Sequence, residues 1–286
     1  MRKSVLPYQL LLLLALCLPA LAQKTADNIG DYVRYQKTTP GKLETAVVNM
    51  IGPGGQSLDL IAAVHLGEAS YYKDLNTRFK GYDALLYELI LPEEMAGQPL
   101  PSQMESGGGL SGIQGMMGRT LGLVTQIDKI DYSPKNFVHA DLTQEGLTRS
   151  MEARQESLMT YFQKLLLSTG TPGAEADLGV SEQELSELDL MAIFSGTTTA
   201  KDRKVLKKLM ATTMTSSGGA MNALGDTALL SERNKAALKV VDAQVAAGKR
   251  NLGLFYGAAH MPDLEARLVK KGWKRTGTAW LPAWTI

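Results

Sequence analysis

The chain has 286 residues, 44% of them hydrophobic, and carries 30 basic side chains against 29 acidic ones. That balance leaves no electrostatic footprint for nucleic acid and no polybasic membrane anchor. Such a length can bury a large core as one domain, or as one domain with a helical insertion.

Residues 1–22 read as a secretory signal peptide rather than as part of the fold. Arg2 and Lys3 form the basic start, Leu10 to Leu18 the apolar centre, and Ala20-Leu21-Ala22 a small-x-small cleavage site. The segment is too short and wrongly flanked to span a membrane, and no later stretch approaches the roughly 18 apolar residues a spanning helix needs. Processing after Ala22 predicts a secreted or periplasmic protein of residues 23–286. Cys17 is the single cysteine. Leu16 precedes it where a lipoprotein signal carries a small residue, so lipid attachment is disfavoured. With Cys17 removed, a disulfide framework, a thiol nucleophile and a thiolate metal site are all excluded.

From Tyr32 to His65 the pattern is that of strands. Ala46–Ile51, a turn at Gly52-Pro53-Gly54-Gly55, and Leu58–Ile61 predict a β-hairpin with a longer loop. Glu68 to Lys80 has helical spacing, and Tyr82 to Ile90 reads as a buried strand ended by Pro92. Strand, helix and strand in this order predict a parallel crossover unit. Residues 93–230 form a largely helical insertion. Within it, residues 106–119 are rich in glycine and methionine, consistent with a mobile cover over a site or with a helical insertion packed elsewhere. Met116-Met117 belongs to a helix running toward Asp128. Asn136 to Thr143 reads as a short strand leading into a helix capped by Thr143. Breaks fall at Thr171-Pro172-Gly173 and at Ser216-Ser217-Gly218-Gly219. Ser231-Glu232-Arg233-Asn234 opens a last long helix before a strand from Asn251, and Trp273 to Trp284 reads as a terminal strand pair around Gly277. The class is α/β (α+β): a mixed central sheet with an N-terminal hairpin and flanking helices.

Two stretches carry most of the functional information. Ile61-Ala62-Ala63-Val64-His65 closes an apolar run from Leu58, and Phe255-Tyr256-Gly257-Ala258-Ala259-His260 closes another from Leu252. Each histidine is followed by a helix-like segment, and these stop at similar signals, Phe79-Lys80-Gly81-Tyr82 and Lys270-Lys271-Gly272-Trp273. Of three histidines in the chain, two therefore hold equivalent strand-end positions, where open α/β sheets place ligands. A lone strand-end histidine is commonly a hydrogen-bonded core residue; a matched pair points to a site.

Two neutral imidazoles and a carboxylate are a common shell for a catalytic divalent metal. His65, His260 and Glu88, which ends the Tyr82–Ile90 run, supply that set if adjacent parallel strands bring them together. Glu68 is an alternative ligand or base, or simply an acid at a helix N-terminus. Arg233 is suited to stabilise an oxyanion or grip a substrate carboxylate, or to pair with Glu88. His139 and Asp141 lie at another strand end. No nucleophile elbow, phosphate-binding glycine loop or HExxH pattern is visible.

These residues resemble the TraB/PrgY/GumN group of the TIKI superfamily, marked by two GxxH motifs with an intervening glutamate and arginine. Glu88, Arg233 and Gly257-Ala258-Ala259-His260 match that pattern; the first motif has Ala62 in place of glycine. The landmarks run from His65 to Trp273. The resemblance implies an exported metal-dependent hydrolase, peptidase-like, with a manganese, cobalt or zinc ion on His65, Glu88 and His260 and a peptide or protein substrate. Other branches imply alternatives without catalysis: a haem or iron binder, with Tyr256 and His260 as an iron-ligating pair, or a peptide-binding regulator.

Overall fold

The structure, a computed structural model, describes residues 29–102, 110–157, 159–161, 163, 179–215 and 226–286. The leader, the Thr171-Pro172-Gly173 and Ser216–Gly219 breaks and residues 106–109 lie outside the described residues. The architecture is α/β, with a mixed seven-stranded sheet flanked by helices.

Four strands form the parallel half of the sheet. They are β3 (Ser57–Ala63), β5 (Ala84–Tyr87), β7 (Phe137–His139) and β8 (Asn251–Gly257), in the order β3-β8-β5-β7. From Leu252 to Gly257 every residue of β8 is buried, as expected of a central strand covered on both faces. The antiparallel half is built on β2 (Lys42–Ile51), which forms the expected hairpin with β3 across the 52–56 loop. Its first half pairs with β1 (Val33–Gln36), and β9 (Lys274–Thr285) runs along its whole length. A two-stranded ladder of β4 (Leu66–Gly67) and β6 (Val124–Thr125) stands apart from the main sheet.

Helix α1 (Ala69–Phe79) turns Tyr71, Tyr72, Leu75 and Phe79 inward, an apolar stripe at helical spacing. Helices α2 (Leu110–Leu121), α3 (Gln126–Lys129) and α4 (Gln144–Ala153) follow, then α5 (Glu182–Ser186), α6 (Leu190–Ser195) and α7 (Ala200–Thr215). Thr143 caps α4, its hydroxyl accepting from the Gly146 N–H at 3.0 Å. A π-turn over Ala228–Glu232 runs directly into α8 (Arg233–Ala246). Finally α9 (Met261–Lys270), opened by Pro262, packs Met261, Leu264 and Leu268 inward.

Some sequence expectations are corrected. Residues 274–285 form one long strand, not a pair. Gly277 sits opposite Asn49 at a register shift, and Pro282 lies beside another, so both residues mark irregularities of an edge strand rather than a turn. The helix containing Met116 and Met117 stops at Leu121 and does not run to Asp128. Gly122 adopts φ +65°, and the Leu123 N–H reaches back to the Gly118 carbonyl at 2.8 Å, a glycine-terminated helix end. The expected parallel crossover through α1 is present, with β8 lying between its two strands. The short strand expected from Asn136 is present as β7 and joins the sheet edge. Among the described residues no helix is long and apolar enough to cross a membrane.

Gly253 marks a tight crossing under β8. A β-carbon there would come within 2.7 Å of Leu85 Cδ1 and 2.9 Å of the Tyr82 ring. Gly253→Ala is therefore expected to cost about 1–3 kcal/mol by overpacking. Urea unfolding measures this, and an unchanged midpoint would contradict the crowding.

Candidate functional site

Parallel register brings three strand ends to one edge of the sheet. Ala63 of β3 pairs with Gly257 of β8, and Tyr87 of β5 pairs with Phe255. His65, Glu88 and His260 each follow the last residues of these strands. The Glu88 N–H extends the ladder onto the Phe255 carbonyl at 3.0 Å. Its carboxylate turns back onto β8, where Oε2 accepts the Gly257 N–H at 2.5 Å. Gly257 and Glu88 are thus clamped together by backbone geometry.

Glu88 Oε1 accepts from Arg233 Nη2 at 2.6 Å and lies 3.4 Å from His260 Nε2. Arg233 is itself held by Asp141, which accepts from Nε at 2.9 Å and from Nη2 at 2.6 Å. The remaining guanidinium nitrogen, Nη1, reaches the Leu229 carbonyl at 3.4 Å and His260 Nε2 at 3.5 Å. A guanidinium has five N–H groups, and these contacts engage every nitrogen that bears them. Arg233 is the charge partner of Glu88 and Asp141 here, rather than a free grip for an oxyanion. The π-turn before α8 delivers it, and π-segments recur where a helix must re-aim a side chain at a site.

His260 is fully enclosed. Its Nδ1 lies 2.6 Å from Asn234 Oδ1, and Asn234 Nδ2 donates to Asp263 Oδ2 at 2.7 Å. A carboxylate only accepts, so Asp263 fixes which way the Asn234 amide points. The amide oxygen then requires a proton on His260 Nδ1, so Nε2 is the ring nitrogen that faces Glu88 and Arg233. The edge of the Tyr256 ring packs against this imidazole, centroid to centroid 5.1 Å.

The strand end carrying His65 is tied down by α1. Tyr72 donates to the Val64 carbonyl at 2.9 Å and Tyr71 to the Ala62 carbonyl at 3.3 Å. His65 is half-buried, and its carbonyl accepts the Gln126 N–H at 2.9 Å. Loss of hydration lowers its pKa below 6.5; the negative charge of Glu88 opposes this, and Arg233 and His260 add to it. The ring is therefore neutral at neutral pH. Burial alone would raise the Glu88 carboxyl, but Arg233 and then His260 outweigh it and hold Glu88 well below the usual carboxylate range. Arg233, despite burial, is held firmly charged by Asp141 and Glu88.

The other candidates are placed elsewhere or otherwise engaged. Glu68 points away: its Oε1 accepts the Thr285 N–H at 2.9 Å and lies 3.8 Å from Lys207 Nζ. His139 Nε2 lies 2.6 Å from the Leu89 carbonyl, beside the strand end but not on Glu88. Tyr256 donates its hydroxyl to the Ala140 carbonyl at 2.5 Å, and burial with nearby Asp141 keeps the phenol protonated. From Leu110 on, the Gly/Met segment is helix α2, anchored to the residues around α6 by Thr120 Oγ1 on the Ile193 carbonyl and by Thr198 on the Thr120 carbonyl. Asn234 and Gln126 received no role from the sequence, and Asp141 was noted there without one.

Whether the donors suit a divalent ion is decided by their chemistry and spacing. Among the described residues no three His, Cys, Asp or Glu side chains already surround one point. His260 Nε2 and Glu88 Oε1 nevertheless stand 3.4 Å apart. Bonds of about 2.0–2.2 Å in a tetrahedral shell put neighbouring donors roughly 3.3–3.6 Å from each other. The opposite imidazole nitrogen is held by a carboxamide oxygen, as metal-ligating histidines usually require. The pair fits, and the neutral His65 supplies a donor of the right kind.

Compared with protein-family models, with characterised proteins and with solved structures, the chain matches none of them.

Two predictions follow from the charges. Arg233→Met leaves Glu88 and Asp141 buried without their cation and is expected to destabilise the protein by roughly 3–5 kcal/mol, read from urea unfolding; a loss under about 1 kcal/mol would show the pair to be solvated. For His65 the folded pKa lies below 6.5, so the unfolded chain binds more protons in the window beneath that value, and stability falls there as pH falls. His65→Gln removes this loss. Metal-free wild type should lose stability faster than the variant between about pH 7 and pH 5; parallel curves would count against a lowered His65 pKa.

Proposed function

We propose that this chain is an exported metal-dependent hydrolase, peptidase-like, of the TraB/PrgY/GumN kind. The observation that carries the reading is the orientation of His260. Asn234 Oδ1 accepts the hydrogen bond from Nδ1, so Nε2 is the nitrogen turned toward an ionised Glu88 oxygen 3.4 Å away. His65, Glu88 and His260 would hold the ion. When bound, a divalent metal lowers the pKa of water toward neutrality and polarises a carbonyl.

The chain's own residues prepare the site. Arg233 keeps Glu88 ionised in a buried place where it would otherwise protonate. Asp141 holds Arg233 in line through two hydrogen bonds and so fixes the guanidinium against the carboxylate. The Gly257 N–H and Asn234 stop Glu88 and His260 from swinging away. The leader-like residues 1–22 support an extracytoplasmic setting, and the peptide or protein substrate rests on the family resemblance.

Metal analysis of the processed protein tests the reading, with manganese, cobalt and zinc offered in turn. Wild type should retain about one ion per chain, and His65→Ala/His260→Ala should fall to background. Equal retention by the two proteins would sink the proposal.

A further inference from the structure

The β4–β6 ladder sets a residue beside His65 that the proposed site has not yet used. Leu66 pairs with Thr125 and Gly67 with Val124 in antiparallel register. Just beyond the ladder, where the chain turns into α3, the Gln126 N–H donates to the His65 carbonyl at 2.9 Å. The Gln126 carboxamide comes within hydrogen-bonding reach of the His65 ring, where an acceptor opposes the lowering of its pKa.

That carboxamide is buried, with 8% of the residue exposed. Its Nε2 donates to the Tyr132 hydroxyl at 3.1 Å, while Oε1 has no hydrogen-bond partner of normal geometry. A buried acceptor left unpaired costs about 1–3 kcal/mol, and the group beside it with an N–H to offer is the imidazole of His65. The other histidine of the site has the same construction already closed: carboxamide oxygen on one ring nitrogen, carboxamide nitrogen anchored on a further polar group.

We infer that Gln126 is the positioning residue of His65, its Oε1 taking the N–H of one ring nitrogen so that the other is presented to the site, as Asn234 does for His260. The inference deepens the proposed hydrolase reading by naming what orients its second imidazole. Gln126 touches neither substrate nor metal in this role. The Tyr132 hydroxyl accepts from Nε2 at 3.1 Å, which leaves Oε1 for the ring.

The test is the tautomeric state of the histidines, read from long-range proton–nitrogen NMR couplings of metal-free processed protein at about pH 8, above the ordinary imidazole pKa. With three histidines in the chain, single His variants assign the signals. His65 should be in one tautomer, with its protonated nitrogen slowed in exchange. In Gln126→Met it should become a mixture of both tautomers while His260 stays fixed, and Gln126→Glu, which keeps an acceptor, should restore the single form. Zinc binding by calorimetry should weaken roughly 10- to 100-fold in Gln126→Met and recover in Gln126→Glu. A mixed His65 in the wild type, or an unchanged single tautomer in folded Gln126→Met, overturns the inference. Should Gln126→Met fail to fold, the wild-type tautomer and its retention in Gln126→Glu decide. A fixed His65 in a protein that takes up no metal keeps this inference and defeats the hydrolase reading instead.

Discussion

A guanidinium buried between two carboxylates is the constraint on which this site depends. Arg233 meets Glu88 and Asp141 with hydrogen bonds of 2.6–2.9 Å, in a place where its own side chain is 9% exposed and those of the acids 8% and 0%. Stripping water from three ions is expensive, and only close, well-directed contacts offset it. The geometry is therefore exacting: Glu88 must end β5, Asp141 must follow β7, and α8 must begin where Arg233 reaches both. Two negative charges around one positive charge also leave a net negative site facing two imidazoles. A site of that sign suits a bound cation, while the charge of Arg233 explains why Glu88 remains ionised despite burial.

The sheet order makes the constellation possible. β8 comes late in the chain yet lies between β3 and β5, so the strand ends carrying His65 and Glu88 are joined only when β8 is in place. The Gly257 N–H then binds the Glu88 carboxylate at 2.5 Å. The antiparallel half has a supporting part: β9 runs along β2, and its end at Thr285 takes Glu68 away from the site through a backbone hydrogen bond. A carboxylate only three residues after His65 is thereby kept out of the chemistry.

How far the site was legible depended on whether the signal was local. His65 and His260 stood out because a polar ring closing an apolar strand is a local anomaly, twice repeated, and Glu88 stood out for the same reason. Asn234 and Gln126 carry no such mark. Each looks like an ordinary polar residue at a helix start, and its role exists only because a histidine 26 or 61 positions away arrives beside it. Asp141 reads as a residue before a helix cap, and its partner lies 92 positions on. The fold was legible where periodicity was clean, in α1, the β2–β3 hairpin and β8. It was misread at β9, where Gly277 and Pro282 carry the chemistry of a turn but occupy bulges of an edge strand, a distinction set by the partner β2 and not by the residues themselves.

What separates this arrangement from an ordinary buried ion network is the treatment of the imidazoles. In a purely structural cluster a histidine satisfies both ring nitrogens within the protein. Here the Nδ1 of His260 is satisfied at 2.6 Å, while the contacts of Nε2 are long, 3.4 Å to a carboxylate oxygen and 3.5 Å to a guanidinium nitrogen. An enclosed nitrogen with one strong partner and two distant ones is under-bonded relative to what water or a ligand would give it. The protein spends a charged triad and a relay of Asn234 and Asp263 on holding that nitrogen in place. Such rigidity around an unsaturated donor is the physical signature of a group kept ready for something that is not protein.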